Sequence, residues 1–164
     1  MTSHRITDDW LIDRLDSFWP DHTTGFTRLL IVLRREFGGD LDALLILGAV
    51  ATGSRGEGWR DILLSDGRGR GNTHSATNTQ SIAHVTGIPR ESVRRKLARL
   101  EAKEWVRRDG SGNWLPTARA ADDLRPATRA TITYLRTVLA AALAAAAPDG
   151  AGAHGRDGPG ARGA

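Results

Sequence analysis

Thr79-Gln80-Ser81-Ile82-Ala83-His84-Val85-Thr86-Gly87-Ile88-Pro89-Arg90-Glu91-Ser92-Val93-Arg94-Arg95-Lys96-Leu97-Ala98-Arg99-Leu100 spells two amphipathic helices with a sharp break between them. Thr79 is able to cap the first, and Gly87 supplies the positive φ that ends it. Ile82, Val85 and Ile88 are expected to point inward, and small Ala83 leaves room for a second helix to cross closely. That second helix starts at Pro89, since a first helical turn tolerates the missing N–H. Its apolar positions Val93, Leu97 and Leu100 recur at spacings of four and three, which leaves Arg90, Glu91, Arg94, Arg95 and Arg99 on the remaining faces. A helix buried along one stripe and studded with guanidinium groups elsewhere suits a polyanion.

Downstream, Trp105-Val106-Arg107-Arg108 and Trp114-Leu115 flank the turn formers Asp109-Gly110-Ser111-Gly112-Asn113, a pattern that predicts a short β-hairpin. Helix, turn, basic helix and hairpin within 79–117 resemble the winged helix-turn-helix of bacterial transcription regulators such as the MarR, GntR and Crp/Fnr families. The resemblance covers roughly a quarter of the chain. In Crp/Fnr-type regulators the recognition helix opens with an Arg-Glu pair followed, four residues after the Glu, by another Arg; Arg90, Glu91 and Arg95 match that pattern. The resemblance implies that these three read bases, an Arg fork matching guanine O6 and N7 and a Glu carboxylate accepting from a cytosine amino group. Two positions depart from the family: Pro89 replaces the usual Ser or Thr cap, and Glu104 replaces a Gly ahead of the first hairpin strand. The full set expected to contact double-stranded DNA is Thr79, Gln80, Pro89, Arg90, Glu91, Ser92, Arg94, Arg95, Arg99, Arg107, Arg108, Ser111 and Asn113.

Upstream of this module, 7–19 reads as a helix with Thr7 as cap and Leu11, Leu15 and Phe18 on one stripe, stopped by Pro20. A second helix is expected over 24–37 (Phe26, Leu29, Leu30, Leu33, Phe37), broken by Gly38-Gly39, and a third over 41–52, capped by Asp40 and buried through Leu41, Leu44, Leu45 and Leu47. The aromatic residues of these helices could line a pocket for a small-molecule effector, whose identity nothing in the sequence specifies; core packing is the plainer use. The region 53–78 is rich in Gly, Ser, Thr and Arg, with a Gly-Arg run at 67–71 and a candidate helical turn at 59–64. After the hairpin, 117–123 predicts a short helix, and Pro126 opens a long Ala-rich one to about Ala147. There Ile132, Leu135, Leu139 and Leu143 form a narrow seam of coiled-coil spacing, expected to be a homodimer interface. The rest, 148–164, has the composition of a disordered tail.

Composition sets the outer limits. A chain of 164 residues and 17.7 kDa has room for one domain with extensions. It contains no cysteine, which removes disulfides, thiolate zinc sites and a Cys nucleophile. The net charge of +4 hides an asymmetry: residues 1–50 carry five basic against eight acidic groups, residues 75–120 nine against four. His4, His22, His74, His84 and His154 share no metal-ligand spacing, and no P-loop, dinucleotide fingerprint or nucleophile elbow is present, so no metal, cofactor or enzymatic role is expected. Nothing resembles a signal peptide or membrane span, so a cytoplasmic location is the expectation.

The expected architecture is therefore mainly α: a winged helix-turn-helix DNA-binding domain over 40–123 with a loop at 53–78, supporting helices at 1–39, a dimerising helix at 124–147 and a tail at 148–164. The expected function is sequence-specific DNA binding by a homodimeric transcription regulator. A protein-binding use of the same surface, and RNA binding through the Arg-Gly run, are the alternatives.

Overall fold

The computed structural model describes residues 6–53 and 77–146; the Gly-Arg run, the turn expected at 59–64 and the tail at 148–164 lie outside the described residues. The described residues are mainly helical, with a small two-stranded antiparallel sheet. In order come α1 (Asp8–Asp13), α2 (Leu15–Glu36), α3 (Leu41–Gly53), α4 (Thr79–Thr86), α5 (Arg90–Ala102), β1 (Val106–Arg108), β2 (Trp114–Pro116), α6 (Ala118–Asp123) and α7 (Arg125–Ala146). The strands pair with Arg107 opposite Leu115 and Arg108 opposite Trp114.

Two packing units result. In the first, α3, α4, α5 and the hairpin close over a core that includes Phe37, Ile46, Val50, Ile82, Val93, Leu97, Trp105 and Trp114. The stripe expected on α5 is the buried one. Two other expected core sets hold in part, since Ile82, Ile88 and Leu47 are buried as expected. Val85 is 75% exposed, and α3 buries Ala43, Ile46, Leu47 and Val50 while Leu41 and Leu45 face outward. In α3 nearly every position is apolar, so periodicity could not choose the face; contact with α4 and α5 does. Asp40 caps α3 as expected, accepting from the Ala43 N–H at 3.0 Å, and also pairs with Lys96 of α5, which ties the two helices together.

In the second unit, α2 and α7 lie antiparallel along their lengths. The Arg14 side chain donates to the Ala145 carbonyl at 3.1 Å, and His22 Nδ1 and the Tyr134 hydroxyl are hydrogen-bonded at 2.9 Å. A Cβ at Gly25 would stand 3.1 Å from the Tyr134 ring, so the absence of a side chain lets the helices close. Pro20 does not end a helix, contrary to the sequence pattern. The break falls at Arg14, and α2 continues through Pro20. The proline forfeits one hydrogen bond to the Asp16 carbonyl, and continuing the helix keeps Phe18, His22 and Leu29 on one face against α7.

The exit from α5 is a Schellman motif. The Trp105 N–H donates to the Leu100 carbonyl and the Glu104 N–H to that of Glu101. Glu104 takes the left-handed position with φ 58°, as its replacement of a Gly implied. Gly at 104 is expected to relieve about 1 kcal/mol of backbone strain, partly offset by the freer unfolded chain. A small rise in the denaturation midpoint of Glu104→Gly, larger than for Glu104→Ala, checks this.

Candidate nucleic-acid interface

The candidate surface is assembled by local chemistry. Asn78, rather than Thr79, caps α4: its side-chain oxygen accepts from the N–H groups of Gln80 and Ser81. Thr79 becomes the first helical residue, and its hydroxyl accepts from the Trp114 indole at 3.5 Å, joining the start of α4 to the hairpin. Thr77, a residue the sequence reading passed over, completes that junction. It is buried, its hydroxyl donates to the Trp114 carbonyl at 2.6 Å, and its own carbonyl accepts the Trp114 N–H. Asn78 carried a signal, since Asn directly ahead of an apolar-periodic stretch is a favoured cap, whereas no periodic or motif signal marks Thr77.

Gly87 ends α4 in the left-handed conformation, as expected. Pro89 sits one position earlier than predicted: it is the N-cap of α5, with φ −53° and ψ 135°, and the helix begins at Arg90. It offers no side-chain cap. The first backbone N–H groups of α5 therefore point out of its positive end beside Arg90, an arrangement that favours an anion.

Along α5, Val93, Leu97 and Leu100 are buried while Arg90, Glu91, Arg94, Arg95 and Arg99 are exposed; Ser92 is half-buried. Arg94 donates to both Glu91 carboxylate oxygens, at 2.6 and 2.9 Å, across one turn of helix. That hydrogen-bonded guanidinium holds the Glu91 carboxyl below its ordinary range. Among the described residues no ion pair engages Arg90, Arg95 or Arg99. Lys96 differs: half-buried, it faces Asp40 and, at 3.5 Å, Asp42, and so belongs to the scaffold. Partial burial opposes charge on Asp40, but the Lys96 and Ala43 donors outweigh it and keep that carboxyl below its usual range.

The hairpin tip is a type I turn followed by a left-handed Gly112, φ 82°, in which Asp109 accepts from the backbone N–H groups of Ser111 and Asn113. Asn113 is half-buried, and its amide nitrogen lies 3.4 Å from the Asp109 carboxylate, so it serves the turn, whereas Ser111 and Gln80 are exposed. Arg107 and Arg108 project from β1. The Arg108 guanidinium lies 4.4 Å from the centre of the Trp114 ring, and Lys103 is stacked in the same way, at 4.4 Å, on Trp105. Trp105 precedes the strand instead of belonging to it; its indole N–H donates to Asp123 at 2.9 Å, which holds that carboxyl below its usual range.

Elsewhere, a groove of about 230 Å³ between α2 and α7 is lined by Gly25, Arg28, Ala130, Thr133 and Tyr134, but Trp19 and Phe26 stand outside it. Its volume lies below the roughly 300–1,000 Å³ usual for small-molecule sites. Among the described residues no cluster of three His, Asp or Glu could hold a metal, and no helix is long and apolar enough to cross a membrane. No protein-family model, curated protein or solved structure matches the chain.

Proposed function

We propose that the chain binds double-stranded DNA sequence-specifically as a transcription regulator, with α4 and α5 acting as a helix-turn-helix and β1–β2 as its wing. One observation carries the reading: α5 buries Val93, Leu97 and Leu100 while its uncapped, positive start and its row of Arg side chains are left to solvent. A helix presented in this way fits the major groove, with the hairpin cations against the flanking backbone. Arg90 and Arg95 are the base readers. Glu91 acts with Arg94 as a unit, since a carboxylate holding one guanidinium still has lone pairs to accept from a cytosine amino group. Arg107 and Arg108 hold phosphate.

Selection of duplexes from a random pool yields a motif on this reading, and two variants then separate the roles. Arg95→Ala is expected to weaken the selected site by about 1–3 kcal/mol, roughly 5- to 150-fold, with little effect on scrambled duplex. Arg108→Ala weakens both alike and lowers the slope of log affinity against log salt by about one. Equal losses on both duplexes for Arg90, Glu91 and Arg95 variants would remove sequence reading from this helix. Absence of any salt-dependent duplex binding would remove DNA altogether.

A further inference from the structure

The seam of Ile132, Leu135, Leu139 and Leu143 does not pack on α2. All four are exposed, because α7 meets α2 through Ala127, Ala130 and Tyr134 on a different face. On the 3.6-residue repeat, Leu135 and Leu139 emerge on the same side of the helix pair as Leu15, Trp19, Phe26 and Leu30 of α2, opposite the groove at Arg28 and Thr133. These four α2 residues are 38–51% exposed, and Leu135 and Leu139 are 49% and 60% exposed. With Ile132 and Leu143 at the rim, and an aromatic side chain taken as about 200 Å², the bare apolar surface is roughly 700 Å². Monomers rarely show patches above about 300–600 Å², whereas a stable association buries about 800 Å² per partner.

Charge says what covers it. The free end of the pair, where Arg14 at the start of α2 meets Ala145 at the end of α7, carries Asp8, Asp9, Asp13 and Asp16 against Arg14. The other end carries Arg34 and Arg129, neither of them in an ion pair among the described residues. Each helix pair is therefore negative at one end and positive at the other. Asp16 and Arg34 stand on the same edge of α2, about five turns apart. Gly25, midway between them, is level with Tyr134.

We propose that this face is covered by a second copy of the chain packed end to end in the opposite sense. In this arrangement α2 crosses its own copy, α7 crosses its own copy, and Asp16 of each protomer meets Arg34 of the other. The two-fold axis passes near Gly25 and Leu135. A parallel pairing would set like charges together and would face α2 with α7. The proposal does not depend on what α5 binds.

The chain has no cysteine, so single-cysteine variants at exposed positions report the arrangement directly. The full chain is expected to show a dimer mass in light scattering at micromolar concentration. Leu135→Cys should cross-link to itself under oxidation. Asp16→Arg should weaken the dimer about tenfold, and Asp16→Arg combined with Arg34→Asp should restore it. A monomer at every concentration overturns the proposal, whether residues 147–164 or another protein covers the face. So does cross-linking of Leu135→Cys to Phe26→Cys in a mixture without self-linkage, which is the signature of the parallel pair. Unaltered helical circular dichroism in each variant keeps misfolding out of the comparison.

Discussion

Trp114→Ala is expected to lower the unfolding free energy by about 3–5 kcal/mol. The side chain is 2% exposed and joins three parts of the molecule: its backbone pairs with Thr77, its indole reaches Thr79, and its ring seats Arg108. Truncation leaves a cavity that the two-stranded sheet, short and held by few bonds, can fill only by shifting the hairpin. Trp114→Phe keeps most of the volume and should lose much less. Chemical denaturation at unchanged slope is the measurement. A midpoint equal to that of the parent chain would mean the hairpin is not packed as described.

Leu97→Ala should cost about 2–5 kcal/mol, for a different reason. Leu97 is fully buried at the centre of the stripe that holds α5 on α3, and α5 is also tied there by Lys96. Leu97→Met, close in volume, should lose less than about 1.5 kcal/mol. Arg95→Ala, two residues away and about half a turn round on the outer surface, should change stability by no more than about 0.5 kcal/mol. Thermal and denaturant melts of the three variants separate the two faces of one helix. If Leu97→Ala and Arg95→Ala melt alike, the assignment of those faces is wrong.

Much of this was legible from residue order. Gly38-Gly39 and Gly87 are left-handed breaks that only glycine takes without strain, so the end of α2, the start of α3 and the end of α4 stood out. On α5 the apolar residues are few and strictly spaced, which fixed its buried face. Where apolar residues are plentiful the pattern lost its power: α3 offered several equivalent stripes, and only its neighbours decided against Leu41 and Leu45. Pro20 misled because a local rule was weighed without the long partner helix. The junction of Thr77, Thr79 and Trp114 was illegible, because its hydrogen bonds join residues more than 30 positions apart. Among the candidate contact residues, sequence could not tell the exposed Arg90 and Arg95 from Asn113, which the turn employs, or foresee that Glu91 would be held by Arg94.

The stacking of Arg108 on Trp114 bears on how a phosphate would be met. A free arginine side chain loses rotamer entropy, up to about 2 kcal/mol, when it is frozen against a ligand. Arg108 has surrendered part of that freedom during folding, since its guanidinium already rests on a buried ring. Its five donors lie in a plane before any anion arrives, so the penalty at the moment of encounter is smaller than for Arg90 or Arg95. On the proposed reading the hairpin is thus the preorganised part of the surface and α5 the adaptable one, a division under which the first would capture rapidly and the second select.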